Sequence, residues 1–213
     1  GGRSAVAAAA YRHCAKMERE ETAEEIDYCR KGGNAHSEFA LPKDAPAWIA
    51  EFAADHSAPE ASAFFWNAVE ANEGRKDAQL AREFVLALPV ELTTAQNIEL
   101  VRDFVARVLS AHGIVADWAY HDIKDNPHVH LMTSLRPLTN EGFGAKRVPV
   151  LGDDGAPVRG KDGKIRYEQF TGGLERLRDI RASWAETQNH HLAKHGHDIR
   201  VDHRSFEDLG IDA

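Results

Sequence analysis

Cysteine is scarce in this chain of 213 residues, which contains only Cys14 and Cys29. Two cysteines with no metal-binding spacing argue against a disulfide framework and against a cysteine-rich metal site. The sequence also lacks an apolar run long enough to cross a membrane, and it does not open with a secretory signal. We therefore expect a globular protein, most simply one domain, in a reducing cytosol.

An excess of positive charge is also missing. The chain has 26 Lys and Arg against 34 Asp and Glu, which gives a formal net charge of −8. Nucleic-acid binding usually goes with a basic surface, so a DNA-binding function would need a local basic region. The segment 139–173 offers one, because it includes Lys146, Arg147, Arg159, Lys161, Lys164 and Arg166.

The same segment is rich in glycine and aspartate and has little periodicity, so it is predicted to be a long surface loop. Its cations could follow a phosphate backbone, while Phe143, Tyr167 or Phe170 stacks on bases. The alternative is a mobile, well-solvated loop without a ligand, which also explains the glycines.

Helical and extended patterns alternate along the rest of the chain. Apolar spacing and capping residues predict helices at about 4–21, 62–81, 95–113 and 174–196. Alternation and bounding turns predict strands at about 37–42, 82–92, 114–121 and 128–135. Because the strands are short and not spaced as βαβ units, we predict an α+β fold with a central antiparallel sheet flanked by helices.

Three histidines lie close together in "AYHDIKDNPHVHLMTSL", residues 119–135. His128 and His130 would share one face of a strand, and a hairpin turn at 122–127 would bring His121 opposite His128. Neutral imidazole is the commonest protein ligand for divalent transition metals, and three ligands leave coordination positions open for catalysis. The alternative is three ordinary polar residues. A zincin-type protease is disfavoured because HExxH is absent.

Several blocks resemble one known family in the same order along the chain. They are "GRSAVAAAAYR" (2–12), "DYCRKGG" (27–33), "WNAVEANEGRKDAQLARE" (66–83), "ALPVEL" (87–92), "NPHVHLM" (126–132) and "GHDIRVDHRSFEDLGI" (196–211). Together they resemble the nicking domain of MobA/MobL-type conjugative relaxases, including TraA-like proteins. These belong to the HUH endonucleases, named for two histidines around one hydrophobic residue, here His128-Val129-His130.

The resemblance implies the HUH relaxase fold and a site- and strand-specific nick in single-stranded plasmid DNA at an origin of transfer. Tyr11 would be the nucleophile and would form a 5′ phosphotyrosine, and His121, His128 and His130 would bind the metal. The expected metal is Mg²⁺ or Mn²⁺ in function, with Zn²⁺ or Ni²⁺ possible as bound. The expected setting is the bacterial cytoplasm, without membrane association, with relaxosome accessory proteins and a type IV secretion coupling protein as partners.

Two alternatives to this activity stay open. One is a single-stranded DNA-binding module of the same fold that has lost cleavage. The other is a metal-dependent phosphodiesterase that uses water. Family members normally begin with a short strand before the tyrosine segment, and many continue into a helicase or primase region. We therefore expect residues 1–213 to be a single relaxase domain, a fragment of a longer protein that lacks the first strand.

Other residues are candidates for supporting roles. Glu83 could reach a histidine N–H or assist the tyrosine, and Asp122 could orient His121, although either could be an ordinary surface carboxylate. Arg3 and Arg12 flank Tyr11 and could contact phosphates next to the cut. Tyr28 is the rival nucleophile, and for its hydroxyl we expect a structural role.

Overall fold

The computed structural model describes residues 4–75 and 77–204. Its helices are α1 (Ala5–His13), α2 (Ala47–Asp55), α3 (Ala58–Asn72), α4 (Thr94–Phe104) and α5 (Leu174–Lys194). Its strands are β1 (Lys16–Arg19), β2 (Glu24–Asp27), β3 (Asn34–Ala40), β4 (Arg82–Ala87), β5 (Ala116–His121), β6 (His128–Thr133), β7 (Leu138–Thr139), β8 (Gly142–Phe143), β9 (Arg147–Pro149) and β10 (Tyr167–Gln169). Within these ranges, no helix combines the length and apolar character needed to cross a membrane.

The centre of the fold is a four-stranded antiparallel sheet with the strand order β3-β5-β6-β4. Strands β5 and β6 form a hairpin and occupy the middle of the sheet. Every residue of β5 is buried because helices cover both faces. The predicted α+β fold with a central antiparallel sheet flanked by helices is confirmed.

Alternation along the strands divides the core into two layers. Trp118 of β5 and Leu131 of β6 pack with α4 and α5 on one face. On the other face, Met132 of β6 packs with α1 and α3, as part of a cluster that includes the buried Ala9 and Phe65. The alanines of α1 have little bulk, which allows this helix to lie close to the sheet and α3.

The first helix is shorter than predicted. It ends at His13, where Cys14 adopts a left-handed conformation, and β1 and β2 then form a hairpin. Charged residues with high helix propensity follow Cys14, so local preference favoured a longer helix. Burial of Met17 in the α1–α3 core layer overrides that preference.

Other boundaries also differ from the predictions. The helix α2 was not predicted, and α3 begins at Ala58, after a capping box formed by Ser57 and Glu60. Strand β4 ends at Ala87, before Pro89. The last predicted helical stretch before β5 is α4 continued by one π-helical segment and one 3₁₀ turn, and it stops at Gly113 in a left-handed conformation.

The basic segment is not an irregular loop. Strands β9 and β10 pair with each other, and further bridges join Leu151 to Pro157 and Arg159 to Ile165. Residues 147–169, called the β-arm below, therefore form a small antiparallel structure. Its two tight turns place Gly155 and Gly163 at φ of 74° and 76°, which glycine adopts without steric cost. The glycines that suggested a loop are turn residues of this arm.

Candidate active site

The three histidines of the β5–β6 hairpin converge on one point. His121 lies directly opposite His128 in the hairpin register, and His130 shares the face of His128. The ring centroids are 4.8 Å apart for His121 and His130, 5.2 Å for His128 and His130, and 5.5 Å for His121 and His128. One ligand nitrogen from each ring lies within 4.8 Å of the other two. The convergence predicted from the hairpin is therefore observed.

Main-chain carbonyls fix the tautomers of two of these rings. His121 Nε2 lies 2.9 Å from the carbonyl oxygen of Arg12, and His128 Nδ1 lies 2.8 Å from that of Asn126. A carbonyl oxygen only accepts, so each of these nitrogens donates a proton. The lone pairs on His121 Nδ1 and His128 Nε2 are then free for a ligand.

The third ring has a nitrogen that needs a partner. His130 Nδ1 is buried, and within the described residues it forms no hydrogen bond. A buried polar atom without a hydrogen bond is unfavourable, and a small shift of Glu83, whose Oε1 lies 3.6 Å away, would give Nδ1 an acceptor and leave the lone pair on Nε2 for a ligand. The donor set therefore fits a divalent cation, and three imidazoles favour Mn²⁺, Ni²⁺ or Zn²⁺ over Mg²⁺ in affinity.

Burial also keeps two of these rings in the form that binds metal. Burial, together with the positive charge of His121 and Arg12, lowers the pKa of His130 to about 4. Burial likewise lowers the pKa of His121. Both rings are thus neutral near pH 7, and only a neutral imidazole has a lone pair to donate.

Tyr11 lies in the last turn of α1, and 43% of its surface is exposed. Lys31 places its ammonium 3.6 Å from the centroid of the Tyr11 ring and donates to the Tyr11 carbonyl at 3.3 Å. Tyr28 packs edge-on against the same ring at 5.2 Å. The hydrogen bond between His121 and the carbonyl of Arg12 joins this end of α1 to the histidine cluster.

Glu83 lies at the edge of the cluster. Its Oε1 is 3.6 Å from His130 Nδ1 and accepts a hydrogen bond of 2.9 Å from Arg12 Nε. Burial alone would raise the pKa of Glu83, but the hydrogen bond and charge of Arg12 lower it below its usual value, with a smaller effect of His130. The structure thus brings an ionised carboxylate beside a candidate metal ligand, as the sequence suggested.

Of the two arginines that flank Tyr11 in the sequence, Arg12 is within the described residues and its contacts are defined. The Arg12 guanidinium is held by Glu83 and by the Ala8 carbonyl, with only 12% of its side chain exposed. Arg12 is therefore a partner of Glu83, and the contact with a phosphate expected for it stays a prediction. Arg3 lies outside the described residues.

Asp122 does not reach the histidines. Its carboxylate accepts hydrogen bonds from Thr94 Oγ1 at 2.9 Å and from Tyr120 Oη at 3.2 Å. Alternation along the strand turns Asp122 away from the face that carries His121. The expectation that Asp122 orients His121 is therefore corrected. The main-chain carbonyl of Arg12 orients this ring instead, through its Nε2.

A buried polar network fixes the end of α1, and sequence reasoning missed it. Asp117 of β5 accepts hydrogen bonds from His13 Nε2 at 2.6 Å, Ser62 Oγ at 2.6 Å and Trp66 Nε1 at 2.7 Å. The network joins α1, α3 and β5 two residues after Tyr11. No local pattern reveals it, because its members are far apart in the sequence. Lys31 was missed for the same reason.

The predicted DNA-binding cations are arranged unevenly. Lys146 is bound to Glu73 and to the carbonyl of Gln79, and Arg147 donates to the carbonyl of Tyr167. All five cations of the β-arm are exposed, namely Arg147, Arg159, Lys161, Lys164 and Arg166. Arg159 also donates to a main-chain carbonyl, that of Gly163. The contact of these cations with DNA stays a prediction, and the three without a main-chain carbonyl partner in the described residues, Lys161, Lys164 and Arg166, are the first to test.

Only one of the three candidate stacking rings is open. Phe143 packs against Phe65 and Trp48, and Phe170 packs against the α4–α5 core layer. Tyr167 is exposed. The stacking expectation is thus corrected for Phe143 and Phe170, whose rings are used in packing.

The fold and the site define an α+β domain with a candidate metal centre beside an exposed tyrosine. The sequence profile described as the MobA/MobL family matches residues 3–213. The conjugal transfer protein TraA of Rhizobium radiobacter is 56% identical over 210 residues, which is 99% of this chain and 19% of that protein. The mobilization protein MobL of Acidithiobacillus ferridurans is 33% identical over 239 residues, covering 100% of this chain and 56% of the relative.

A solved structure agrees with the sequence comparisons. It is described as the molecular basis of vancomycin resistance transfer in Staphylococcus aureus. It matches with a TM-score of 0.76 and 30% identity, over 95% of this chain and 92% of that one. The chain belongs to the MobA/MobL family. It spans about a fifth of the length of TraA relatives such as the one from Rhizobium radiobacter.

Proposed function

We propose that this chain is the nicking domain of a conjugative relaxase. It would cut one strand of plasmid DNA at an origin of transfer through a covalent bond to Tyr11, and so initiate conjugative transfer. The observation that carries the proposal is the hydrogen bond from His121 to the carbonyl of Arg12, which holds the tyrosine end of α1 against the three-histidine cluster. The family membership and the relatives named for conjugal transfer and mobilization support it.

The residues suit a transesterification. A neutral phenol is a weak nucleophile, with a pKa near ~10, so Tyr11 needs positive charge nearby. The Lys31 ammonium above its ring supplies some of it. When bound, a divalent cation supplies further charge that favours the phenolate and offsets the charge on the phosphate. We expect Mg²⁺ or Mn²⁺ to serve in cells, although Zn²⁺ or Ni²⁺ can occupy such a site in a preparation.

The proposed bond changes conserve the energy of the DNA linkage. The Tyr11 oxygen attacks the phosphorus and loses its proton, the bond from phosphorus to the 3′ oxygen breaks, and that oxygen takes up a proton. The products are a 5′ phosphotyrosine and a free 3′ hydroxyl. One phosphodiester replaces another, so the 3′ hydroxyl can reverse the step and reseal the strand, which water as nucleophile would prevent.

Neighbouring residues would position these groups. The ionised Glu83 would orient His130, and Arg12 would hold Glu83 in place. Lys161, Lys164 and Arg166 of the β-arm would contact the phosphate backbone, with Tyr167 available for stacking. Relaxosome accessory proteins and a type IV secretion coupling protein would act as partners in the bacterial cytoplasm, where plasmid DNA resides.

An adduct assay tests this proposal. The protein is incubated with Mn²⁺ and labelled single-stranded oligonucleotides that tile the DNA beside its own gene. A protein–DNA species that resists denaturation is then sought. We expect an adduct with one oligonucleotide, its loss in Tyr11→Phe, and its strong reduction in His128→Ala.

Tyr28→Phe is the matched control, because Tyr28 is exposed and contacts the Tyr11 ring. An adduct that persists in Tyr11→Phe but disappears in Tyr28→Phe would assign the nucleophile to Tyr28. Cleavage without an adduct, unchanged in Tyr11→Phe, would indicate a phosphodiesterase that uses water. Tight binding of one oligonucleotide without cleavage would indicate a binding module.

A further inference from the structure

A second group of metal-type side chains lies on the other side of the sheet, where α4 packs against α5. His191 lies in the last turn of α5, His195 is the residue that follows the helix as its C-cap, and Glu99 projects from α4. One ligand atom from each of these residues lies within 4.8 Å of the other two. This α4–α5 cluster shares no residue with the candidate active site on the α1 face.

Both imidazoles of the α4–α5 cluster have one nitrogen with a partner and one without. His191 is 3% exposed, and its Nε2 donates to Asp103 Oδ2 at 3.2 Å, which leaves a lone pair on Nδ1. His195 Nδ1 contacts the amide nitrogen of Gln96 at 3.0 Å, while its Nε2 lies 4.0 Å from Glu99 Oε2. Within residues 4–75 and 77–204, neither His191 Nδ1 nor His195 Nε2 forms a hydrogen bond, and both atoms are buried. Two such atoms in one cluster point to a ligand between the helices.

We infer that Glu99, His191 and His195 form a second metal site, for a divalent transition ion such as Zn²⁺, Co²⁺ or Ni²⁺. Two imidazoles and one carboxylate are a donor set that zinc uses, whereas Mg²⁺ prefers oxygen donors alone. Metal–ligand distances of about 2.1 Å place tetrahedral donor atoms about 3.4 Å apart, so the donor atoms of this cluster, which lie within 4.8 Å of one another, must move closer together. The Glu99 side chain is 51% exposed, so it can make this movement and also leaves a path for the ion to enter.

Two existing contacts would change when the ion binds. Lys194 forms an exposed ion pair with Glu99, and such pairs are weak enough to give way. The Gln96 amide donates to His195 Nδ1, which places the ring proton on Nε2, the atom that would bind the ion. The orientation of this amide is fixed, because its oxygen accepts from the main-chain nitrogen of Thr93 at 2.9 Å.

Because the Gln96 amide holds His195 in the tautomer that cannot bind the ion through Nε2, a substitution of Gln96 can be designed to raise the affinity for metal. In Gln96→Glu, one carboxylate oxygen would keep the helix cap at Thr93, and the other would accept a proton from His195 Nδ1. The lone pair on Nε2 would then be free. The second site should bind more tightly by about tenfold, the lower end of the effect that such outer hydrogen bonds have on metal affinity.

Zinc titration of the chelator-treated full chain tests the inference, with stoichiometry and the Co²⁺ visible spectrum as readouts. We expect two ions per chain, one for each histidine cluster. In His195→Gln and Glu99→Gln, affinity for one ion should fall by at least about tenfold. In His190→Gln the titration should not change, because His190 is exposed beside the cluster and is the matched control.

The inference is overturned if the chain binds a single ion and His128→Ala abolishes that binding. It is also overturned if a second ion binds with the same affinity in His195→Gln and Glu99→Gln as in wild type. A decrease in affinity in Gln96→Glu would also contradict the geometry described. Adduct formation depends on the active-site histidines and not on the α4–α5 cluster. The two assays therefore allow the proposed nicking function and the second metal site to fail separately.

Discussion

Removal of the Asp117 carboxylate should destabilise the fold more than any surface change near the site. This side chain is 2% exposed and accepts three hydrogen bonds, from His13, Ser62 and Trp66. In Asp117→Ala all three donors stay buried without an acceptor, which should cost about 3–5 kcal/mol of unfolding free energy. Asp117→Asn keeps the volume and one acceptor and should cost about 1–3 kcal/mol.

The same carboxylate predicts an acid dependence with a defined sign. Burial alone would raise the pKa of Asp117. The charge of His13 and the hydrogen bonds that the Asp117 carboxylate accepts lower this pKa below the usual 3.8. A carboxyl group whose pKa is lower in the folded state contributes its full stability above the unfolded value. It loses this contribution as the pH falls through the folded value. Wild type should therefore lose stability below about pH 4 more steeply than Asp117→Asn.

Urea unfolding near pH 7 and at several acid pH values measures both effects. Asp122→Asn is the matched control, because this exposed carboxylate lies on the same hairpin and should change stability by less than about 1 kcal/mol. The reasoning is refuted if Asp117→Ala costs no more than Asp122→Asn. It is equally refuted if wild type and Asp117→Asn have the same acid profile.

Two further predictions concern the active site and the β-arm. Glu83→Gln should reduce adduct formation by about 10–100-fold, because a neutral amide orients His130 less strongly, and an unchanged rate would remove Glu83 from the site. Joint replacement of Lys161, Lys164 and Arg166 in the β-arm should weaken binding of single-stranded DNA. The slope of log affinity against log salt should become shallower by up to about 2, and the unfolding midpoint should not change. An unchanged salt slope would place the DNA elsewhere.

Long, strongly patterned segments were predictable from sequence, and segments governed by packing were not. The helix α5 and the strands β5 and β6 were predicted within a few residues, since their apolar spacing and bounding turns act locally. The hairpin β1–β2 was hidden by the helix propensity of its residues, and the β-arm by its many glycines. In both cases a contact or pairing with another segment decides the conformation.

The sequence by itself determined the histidine cluster, because the hairpin turn and the alternation of strand residues are local rules that bring His121, His128 and His130 to one face. It also indicated the family, through blocks spread along the whole chain. Only the tertiary structure decided which neighbours complete the site. Arg12, Asp117 and the α4–α5 cluster acquire their partners across long stretches of chain, and such contacts depend on how helices pack on the sheet, which no local pattern encodes.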